Sequence, residues 1–454
     1  MKCCYMLLHV ILQSVLQHLL KKIKLSKEEV NVLDVNKRSP LHWACAHGNL
    51  DQVKIISKLG ADIGIIDVEG KTALHFAATS NSSQPGKLLG ALVNMKTRGA
   101  SSVLCWQDYD GRQPLHLAVI SANPDMVTAI IKHPSCMINA LDQRDRTPLH
   151  YAAIHGQEDI VRLLLEAGAK SDTLDEAGAS PGHLAVQSGD EKTVRVFIDK
   201  NQCQQLDSQK RTPLMWAVAL ERVAMVKILV SCDADTKDKM GYSALHIAVS
   251  NNVLSCIQPL ISLGVGINIR NDEGETPAML ASKQGHEEIL ASLIKSGADI
   301  NLVDVWGGGC LHLASGSGHL ACMTLLLKNG VKVDLSDSAG TTALMMASSG
   351  GHKAAVTMLL EAGASLDKQN GQGMCALYSA VHGGHLDLVR MFLEAGAYPN
   401  NVVRTREGQW TSLDTAMRKE LTEITNVLLE NKVFFILSEN ISMRYPDKVL
   451  CSIP

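Results

Sequence analysis

Apolar residues recur along this chain in short groups that return at an almost constant spacing. Each copy usually has Ser or Thr, then Pro or Ala, Leu, His, a variable residue and Ala, followed by a second apolar group. The copies follow at intervals of 31 to 41 residues, and 33 is the commonest interval. Two apolar groups with helical spacing in every copy predict a pair of short amphipathic helices. The copies begin at Ser39, Thr72, Gln113, Thr147, Ser180, Thr212, Ser243, Thr276, Gly309, Thr342, Cys375 and Thr411.

The copy that begins at Thr147 shows the physical basis of this pattern. Thr147 can cap a helix, and Pro148 suits the first helical position, where its missing N–H costs no hydrogen bond. Leu149 is expected to point into a core, and Val161, Leu164 and Leu165 are expected to lie on the apolar face of a second helix. Gly168 follows that helix and supplies the left-handed backbone that often ends one. An Asp-x-x-Gly turn then predicts a hairpin into the next copy.

The period and the motif resemble those of the ankyrin repeat. The resemblance predicts an all-α repeat protein, an ankyrin-repeat solenoid of helix-turn-helix units with β-hairpin loops, with about twelve repeats over residues 36–432. Residues 1–35 are predicted to form an N-terminal capping helix and a degenerate half repeat, and residues 433–454 a C-terminal tail. Helices this short are marginal alone, so their stability must come from stacked neighbours.

The repeats are unequal. Repeats 8 to 11 keep the 33-residue spacing, whereas repeat 2 carries an insertion at residues 80–86. In repeat 5 Gly182 replaces the core Leu, and Glu221 and Asn252 replace turn glycines in repeats 6 and 7. We therefore expect repeats 5 to 7 to be the least stable part of the array and repeats 8 to 11 the most stable.

The composition suits a folded chain without a strong charge preference. Apolar residues make up 46% and charged residues 20%, and the formal net charge is −3, so neither disorder nor nucleic-acid binding is indicated. No segment is long enough to cross a membrane. A signal peptide is disfavoured because His9 interrupts the apolar run near the start.

The cysteines indicate a reducing, cytoplasmic environment. No Cys-x-x-Cys pair lies near another, so a zinc site is not predicted. Six of the twelve cysteines lie in helical or apolar stretches, which is typical of buried reduced thiols. These six are Cys45, Cys136, Cys232, Cys256, Cys322 and Cys375.

We find no motif for catalysis, and none for a cofactor or a metal. A phosphate-binding loop, an H-E-x-x-H zinc motif and a G-x-S-x-G nucleophile are all missing from the sequence. The histidines occupy equivalent positions in successive repeats, about one layer apart, which is too far to share a metal ion. One position holds His42, His75, His116, His150, His183, His246 and His312, and another holds His286, His319, His352 and His385.

Variable loop positions are the candidate partner-binding surface, because hairpin tips and first helices of such an array are expected to line one face. Trp306 stands where a large aromatic has no core to enter. One interpretation is a basic, tyrosine-studded groove for an acidic or phosphorylated segment. The other is ordinary solvated surface, with some charges paired to Asp142 or Asp207. Besides Trp306, the candidates are Tyr109, Arg112, Arg144, Arg146, Lys210, Arg211, Lys239 and Tyr242.

Several segments resemble the inversin family, ciliary ankyrin-repeat proteins of the nephrocystin group. They are residues 63–71, residues 106–112, residues 397–400 and the longer hairpin before Thr411, and the lengthened second repeat lies between the first two. The resemblance covers most of residues 36–432. It implies a scaffold of the primary cilium and cytoskeleton, with nephrocystin-like proteins, a NIMA-related kinase and dishevelled as partners in Wnt or planar-polarity signalling. Calmodulin is not predicted as a partner, because the family's IQ motifs are missing here.

Two functions therefore remain open. The favoured one is a non-enzymatic protein–protein interaction scaffold. The alternative is a substrate-recruiting adaptor subunit of a ubiquitin ligase or kinase assembly, which would need a docking motif outside the repeats. A stand-alone enzyme is the least supported class.

Overall fold

The computed structural model describes residues 30–95, 103–201, 203–229, 234–405 and 408–431. The capping helix expected before residue 30 and the tail at residues 433–454 lie outside these ranges. The chain divides into two compact units, one ending at Asp233 and the other starting at Ala234. We call them the N-terminal unit and the C-terminal unit.

Helix pairs make up the described part of the N-terminal unit. Odd-numbered helices pack on odd-numbered neighbours and even-numbered helices on even-numbered neighbours, so each short helix buries its apolar face in one of two layers. A short 3-10 helix, Val103–Cys105, precedes α5. The helices are α1 (Pro40–Ala46), α2 (Leu50–Lys58), α3 (Ala73–Ala78), α4 (Pro85–Val93), α5 (Pro114–Ile120), α6 (Pro124–Ile131), α7 (Pro148–Ile154), α8 (Glu158–Glu166), α9 (Pro181–Ser188), α10 (Glu191–Asp199), α11 (Pro213–Ala219) and α12 (Val223–Leu229).

The C-terminal unit repeats this arrangement. Its odd-numbered helices again pack on one another from the first to the last, and an antiparallel strand pair precedes the last helix pair. Its elements are α13 (Ala244–Ser250), α14 (Leu254–Ser262), α15 (Pro277–Gln284), α16 (Glu287–Lys295), α17 (Cys310–Gly316), α18 (Leu320–Lys328), α19 (Ala343–Ser349), α20 (Lys353–Glu361), α21 (Ala376–Gly383), α22 (Leu386–Glu394), β1 (Val403–Thr405), β2 (Gly408–Trp410), α23 (Ser412–Arg418) and α24 (Thr422–Glu430).

The predicted all-α repeat fold is confirmed, down to the first residue of each odd-numbered helix. Every such helix begins directly after the first residue of the sequence motif, as α7 does after Thr147. Leu149 on α7 and Leu164 on α8 are completely buried. Gly168 has φ +90° just after α8, so it ends that helix in the left-handed conformation that the sequence predicted.

The motif histidines bond one repeat to the next. The ring Nδ1 of His42 lies 3.1 Å from the amide nitrogen of Ser39 and 2.9 Å from its hydroxyl, and Nε2 lies 3.2 Å from the carbonyl oxygen of Lys71 in the following repeat. Because a carbonyl oxygen can only accept, Nε2 donates and Nδ1 accepts, and the ring is neutral. The Ser39 hydroxyl therefore contacts the histidine ring and does not only cap the helix. The contact between Nε2 and a backbone carbonyl oxygen of the following repeat recurs, at 2.9–3.3 Å, in His75, His116, His150, His183, His246 and His312.

A buried or half-buried Asp or Asn side chain organises most loops between repeats. In the first such loop, Oδ1 of Asp67 accepts hydrogen bonds from the amides of Glu69 and Lys71, both at 2.9 Å. The next residue, Val68, donates its amide to the carbonyl of Asn36 in the preceding loop at 3.1 Å. The loops are therefore fixed from within and also bonded to one another.

Strand pairing is rarer in these loops than the sequence suggested. Among the described residues, one loop forms a paired hairpin, with Val403 of β1 opposite Trp410 of β2. Elsewhere the loops form turns with at most an isolated bridge, such as that between Ile66 and Thr72. The buried loop carboxylate accepts the amide hydrogen bonds that a strand partner would otherwise accept.

The irregular repeats keep the backbone of the regular ones. Glu221 and Asn252 both adopt φ +56° at the turn between their helices, whereas the equivalent Gly351 has φ +75°. Gly182 is buried in α9. Positive φ is costly for a residue with a Cβ, so the turn at Glu221 is held in place by its surroundings.

Candidate interaction surface

The exposed part of each loop is its tip, which we define as the two residues after the loop Asp or Asn. Tyr109 lies at such a tip, and 61% of its surface is exposed. Its amide donates to the carbonyl of Glu69 at 3.0 Å, and its own carbonyl accepts from the side chain of Gln143 at 2.6 Å. The backbone of Tyr109 is thus fixed while its ring is available to a partner.

Two of the candidate arginines form ion pairs with buried aspartates. Nε of Arg112 lies 3.0 Å from Oδ2 of Asp108 in its own loop, and Nε of Arg146 lies 3.1 Å from Oδ2 of Asp175 in the next loop. The carboxylates of both aspartates are almost completely buried. Buried carboxylates need such partners, so the main role of these arginines is to stabilise the fold.

Arg211 has the same structural role. Its Nε lies 2.8 Å from Oδ2 of Asp207, and its guanidinium lies 5.4 Å from the ring centroid of Trp216, whose indole N–H donates to the same carboxylate at 2.9 Å. A change of Arg211 to Glu would place a second carboxylate beside a buried one. The pairing of Arg211 with Asp207 agrees with the interpretation of ordinary solvated surface. Arg146 pairs with Asp175 and not with its neighbour Asp142.

Arg144 and Lys210 differ from the other basic candidates of the N-terminal unit. Both are exposed in their loops, and the ion pairs of the described residues in this unit do not include them. Lys210 has φ +61° at a position where Gly stands in several other loops. These two cations are therefore the ones that a partner could bind without competing with a buried aspartate.

The C-terminal unit contains the remaining candidates. Lys239 is exposed at a tip, and Trp306 is 57% exposed at another. Tyr242 is half-buried, with its ring stacked on His246 at 5.6 Å between centroids. Burial is the main cause that raises the pKa of Tyr242 above its usual value, with further contributions from Glu275 and Glu273.

The sequence did not single out a row of half-buried aromatic residues in the N-terminal unit. Trp43, Phe76, Tyr151 and Trp216 all occupy the variable position between His or Met and Ala of the motif. The guanidinium of Arg38 lies 5.7 Å from the ring centroid of Trp43 and 5.2 Å from that of Phe76, within the range of a cation–π contact. Their shared motif position was the signal that could have revealed them.

The histidines are structural side chains in the part of the chain that the structure describes. Burial lowers the pKa of His75, His150 and His183 to about 4, so these rings are neutral near pH 7. No group of three or more His, Cys, Asp or Glu residues in the described ranges could hold a metal ion. None of the described helices combines the length and the apolarity that crossing a membrane requires.

Several of the cysteines that the sequence singled out are free thiols, whereas a disulfide at another cysteine does not fit the predicted reducing environment. Cys45, Cys322 and Cys375 are buried free thiols, and Cys136 is a partly buried free thiol whose pKa burial raises to about 11. Cys256 is buried, and Cys232 lies outside the described residues. Cys203, which the sequence did not single out, is disulfide-bonded.

Comparison with protein-family models gives matches along most of the chain. A model described as ankyrin repeats (many copies) matches residues 351–393. A model described as ankyrin repeats (3 copies) matches residues 8–97, 87–175, 167–239, 222–304 and 301–370.

Curated proteins similar to this chain include inversins. Inversin of Homo sapiens is 40% identical over 114 residues, which are 25% of this chain and 10% of the human protein. Inversin of Danio rerio is 35% identical over 242 residues, which are 52% of this chain and 24% of that protein. The B-cell lymphoma 3 protein homolog of Mus musculus is 28% identical over 244 residues, 51% of this chain and 53% of that protein. The chain therefore spans a small part of the inversins that it matches.

Proposed function

Since the chain belongs to the ankyrin-repeat family, we propose that it is a non-enzymatic scaffold that binds other proteins through its loop tips. The observation that carries this proposal is the contrast between fixed backbone and exposed side chain at the tips. Tyr109 and Trp306 are 61% and 57% exposed, yet the amide of each is hydrogen-bonded, to Glu69 and to Asp304 respectively. Large aromatic side chains on a rigid backbone lose little entropy on binding and are enriched at protein interfaces.

The similarity to inversins supports a more specific proposal. We propose that the chain organises complexes at the primary cilium or its base, with a bearing on Wnt or planar-polarity signalling. Nephrocystin-like proteins, a NIMA-related kinase and dishevelled are the partner classes to test first. The support is identity of 35–40% to inversins over part of the chain.

For the N-terminal unit we propose an acidic or phosphorylated partner segment, now centred on Arg144 and Lys210. Among the basic candidates of this unit these two are exposed and in no ion pair, whereas Arg112, Arg146 and Arg211 are paired with buried aspartates. Guanidinium and ammonium groups bind carboxylate and phosphate, and such exposed contacts weaken as salt is added.

The test is affinity capture of partners from ciliated cells, followed by mass spectrometry. The bait is the full chain, and the comparison bait carries Arg144→Glu with Lys210→Glu. A matched control carries Lys192→Glu with Arg195→Glu, two exposed cations on α10. We expect the wild type and the control to capture ciliary proteins, and the variant with Arg144→Glu and Lys210→Glu to capture fewer of them.

Three results would argue against these proposals. Ubiquitin-ligase subunits as the main captured proteins would favour an adaptor function. Equal capture by all three baits would remove the role of Arg144 and Lys210. Capture of no specific protein would argue against the scaffold itself.

A further inference from the structure

Three consecutive tips of the C-terminal unit combine exposed apolar side chains with an acidic centre. Met240, Val305 and Trp306 are 65%, 60% and 57% exposed. The tip between them carries the exposed residues Asp272 and Glu273. Large apolar side chains at adjacent, solvent-facing positions are typical of protein–protein interaction sites. We call these residues the apolar–acidic tip row.

The backbone beneath this row is already paired. The amide of Asp272 donates to the carbonyl of Met240 at 3.4 Å, and the amide of Val305 donates to the carbonyl of Glu273 at 3.0 Å. The amides of Met240 and Trp306 each donate to the carboxylate of their loop aspartate, at 2.8 and 2.9 Å. Recognition through these tips must therefore use side chains, since these backbone groups are not available to a β-strand added by a partner.

A cation close to the acidic centre of the row already pairs with a buried carboxylate. Lys283 donates to Oε1 of the buried Glu275 at 2.7 Å, so its charge already has a partner. Asp272 and Glu273 remain exposed at the tip, and the ion pairs of the described residues in the C-terminal unit do not include them. One cation, Lys239, lies exposed at the neighbouring tip. A partner residue facing Glu273 is therefore favoured by charge when it is Lys or Arg.

We propose that the apolar–acidic tip row binds an amphipathic α-helix of a partner protein, in which one Lys or Arg lies between two apolar residues. A helix satisfies its own backbone hydrogen bonds and offers side chains alone, as this surface requires. Stacked helices lie about 8–10 Å apart, and seven residues of a helix span about 10.5 Å. A helix parallel to the row can thus place residues i, i+7 and i+14 on Met240, Glu273 and Trp306. The proposal rests on the scaffold function proposed above.

The experiment selects ligands for the full chain from a phage-displayed library of helical peptides of about 21 residues, or three heptads, randomised along one face. We expect the selected peptides to carry a basic residue flanked by apolar residues seven positions away on each side. Synthetic versions should lose at least about tenfold in affinity for the Trp306→Ala and Glu273→Lys variants, since such anchors dominate binding. Tyr398→Ala and Glu394→Lys are matched controls, because Tyr398 is also 57% exposed and Glu394 is an exposed carboxylate of the same unit. Circular dichroism and urea midpoints confirm that each variant is folded.

Several outcomes would overturn the proposal. Selected peptides that bind Trp306→Ala as well as the wild type would place the site elsewhere. Acidic peptides, proline-containing peptides or no enrichment at all would exclude a basic amphipathic helix as the ligand. The scaffold function would survive each of these results if partners are still captured from cells, so the two failures are distinguishable.

Discussion

The two units are built from one motif, but different side chains join their repeats. In the N-terminal unit five buried histidines bond each repeat to the next, whereas in the described part of the C-terminal unit His246 and His312 do so. Met279 and Met345 take the histidine position in two repeats of the C-terminal unit. The contact made by the buried motif histidine is thus commoner in the first half of the chain.

The C-terminal unit has a regular bond between its loops instead. An Asn or Asp side chain accepts the amide of the residue 31 positions later, as Asn301 accepts from Lys332 at 3.1 Å. In the described part of the N-terminal unit this bond occurs at Asn31 and Asn139. In the C-terminal unit the accepting side chains are Asp235, Asn268, Asn301, Asp334 and Asp367.

The turns between the two helices of a repeat also differ between the two units. In the C-terminal unit, Nε2 of His319, His352 and His385 reaches a carbonyl of the preceding repeat at 3.0–3.1 Å. The difference shows that one sequence motif permits two ways of joining repeats. One uses mainly the buried motif histidines, and the other combines loop amides with turn histidines that donate from Nε2.

The largest expected effect comes from removing the same core leucine in each unit. Leu164 on α8 and Leu326 on α18 are equivalent and completely buried. Each change to Ala should lower the free energy of unfolding by about 2–5 kcal/mol. Urea denaturation measures this, and a loss in one unit below about 1 kcal/mol would show that its core is not packed as described.

Acid should weaken the N-terminal unit more than the C-terminal unit. The pKa of His75, His150 and His183 is about 4 in the fold, against about 6.5 in an unfolded chain. The unfolded chain therefore binds protons first, so stability is complete above pH 6.5, falls between pH 6.5 and pH 4, and stays low below that. Each of these histidines should remove about 2 kcal/mol at pH 5.

A single substitution can separate this acid effect from general acid damage. His150→Met introduces the residue that stands at this position in repeats 8 and 10. It should cost about 1–3 kcal/mol near neutral pH, because the ring's hydrogen bonds to Thr147 and to the Ala179 carbonyl are lost. It should also reduce the loss of stability on acidification. Equal acid sensitivity of wild type and variant in urea denaturation would contradict the role of this ring.

The loop bond should have a smaller effect. Asn301→Ala removes the acceptor for the Lys332 amide and should cost about 0.5–1.5 kcal/mol in the C-terminal unit. Asn139→Ala is the matched change in the N-terminal unit, where the same bond joins Lys170 at 2.8 Å. Equal losses of stability in the two variants would mean that the units differ only in the number of such bonds. No loss in either variant would mean that these bonds do not contribute to the difference between the units.

The smallest expected effect is a gain. Glu221→Gly relieves positive φ at the turn before α12 and should stabilise the N-terminal unit by about 0.5–1 kcal/mol. Asn252→Gly is the control and should change little, because Asn tolerates this conformation. A clear destabilisation by Glu221→Gly in thermal or urea unfolding would mean that its side chain makes a contact that outweighs the strain.

The fold was predictable because its signals are local. The cap position, the Pro or Ala that usually follows it and the next apolar residue lie within a few residues of one another. They indicated the start of every odd-numbered helix, as at Pro148. The ion pairs were less predictable because they depend on side-chain direction across repeats. Arg146 crosses to Asp175 in the next loop, whereas Arg211 stays with Asp207 in its own. The partner-binding role of the exposed tips is still a prediction.

The repeats of the two units are held together by different contacts, and hydrogen exchange of the intact chain tests this difference most directly. Amide protection would be measured by mass spectrometry at about pH 7 and about pH 5, each corrected for its intrinsic exchange rate. We expect repeats 8 to 11 to be the most protected at both values. On acidification the repeats of His75, His150 and His183 should lose far more protection than the repeats of Asn268 to Asp367. An equal loss of protection in both units would show that the buried histidines do not make the N-terminal unit more sensitive to acid.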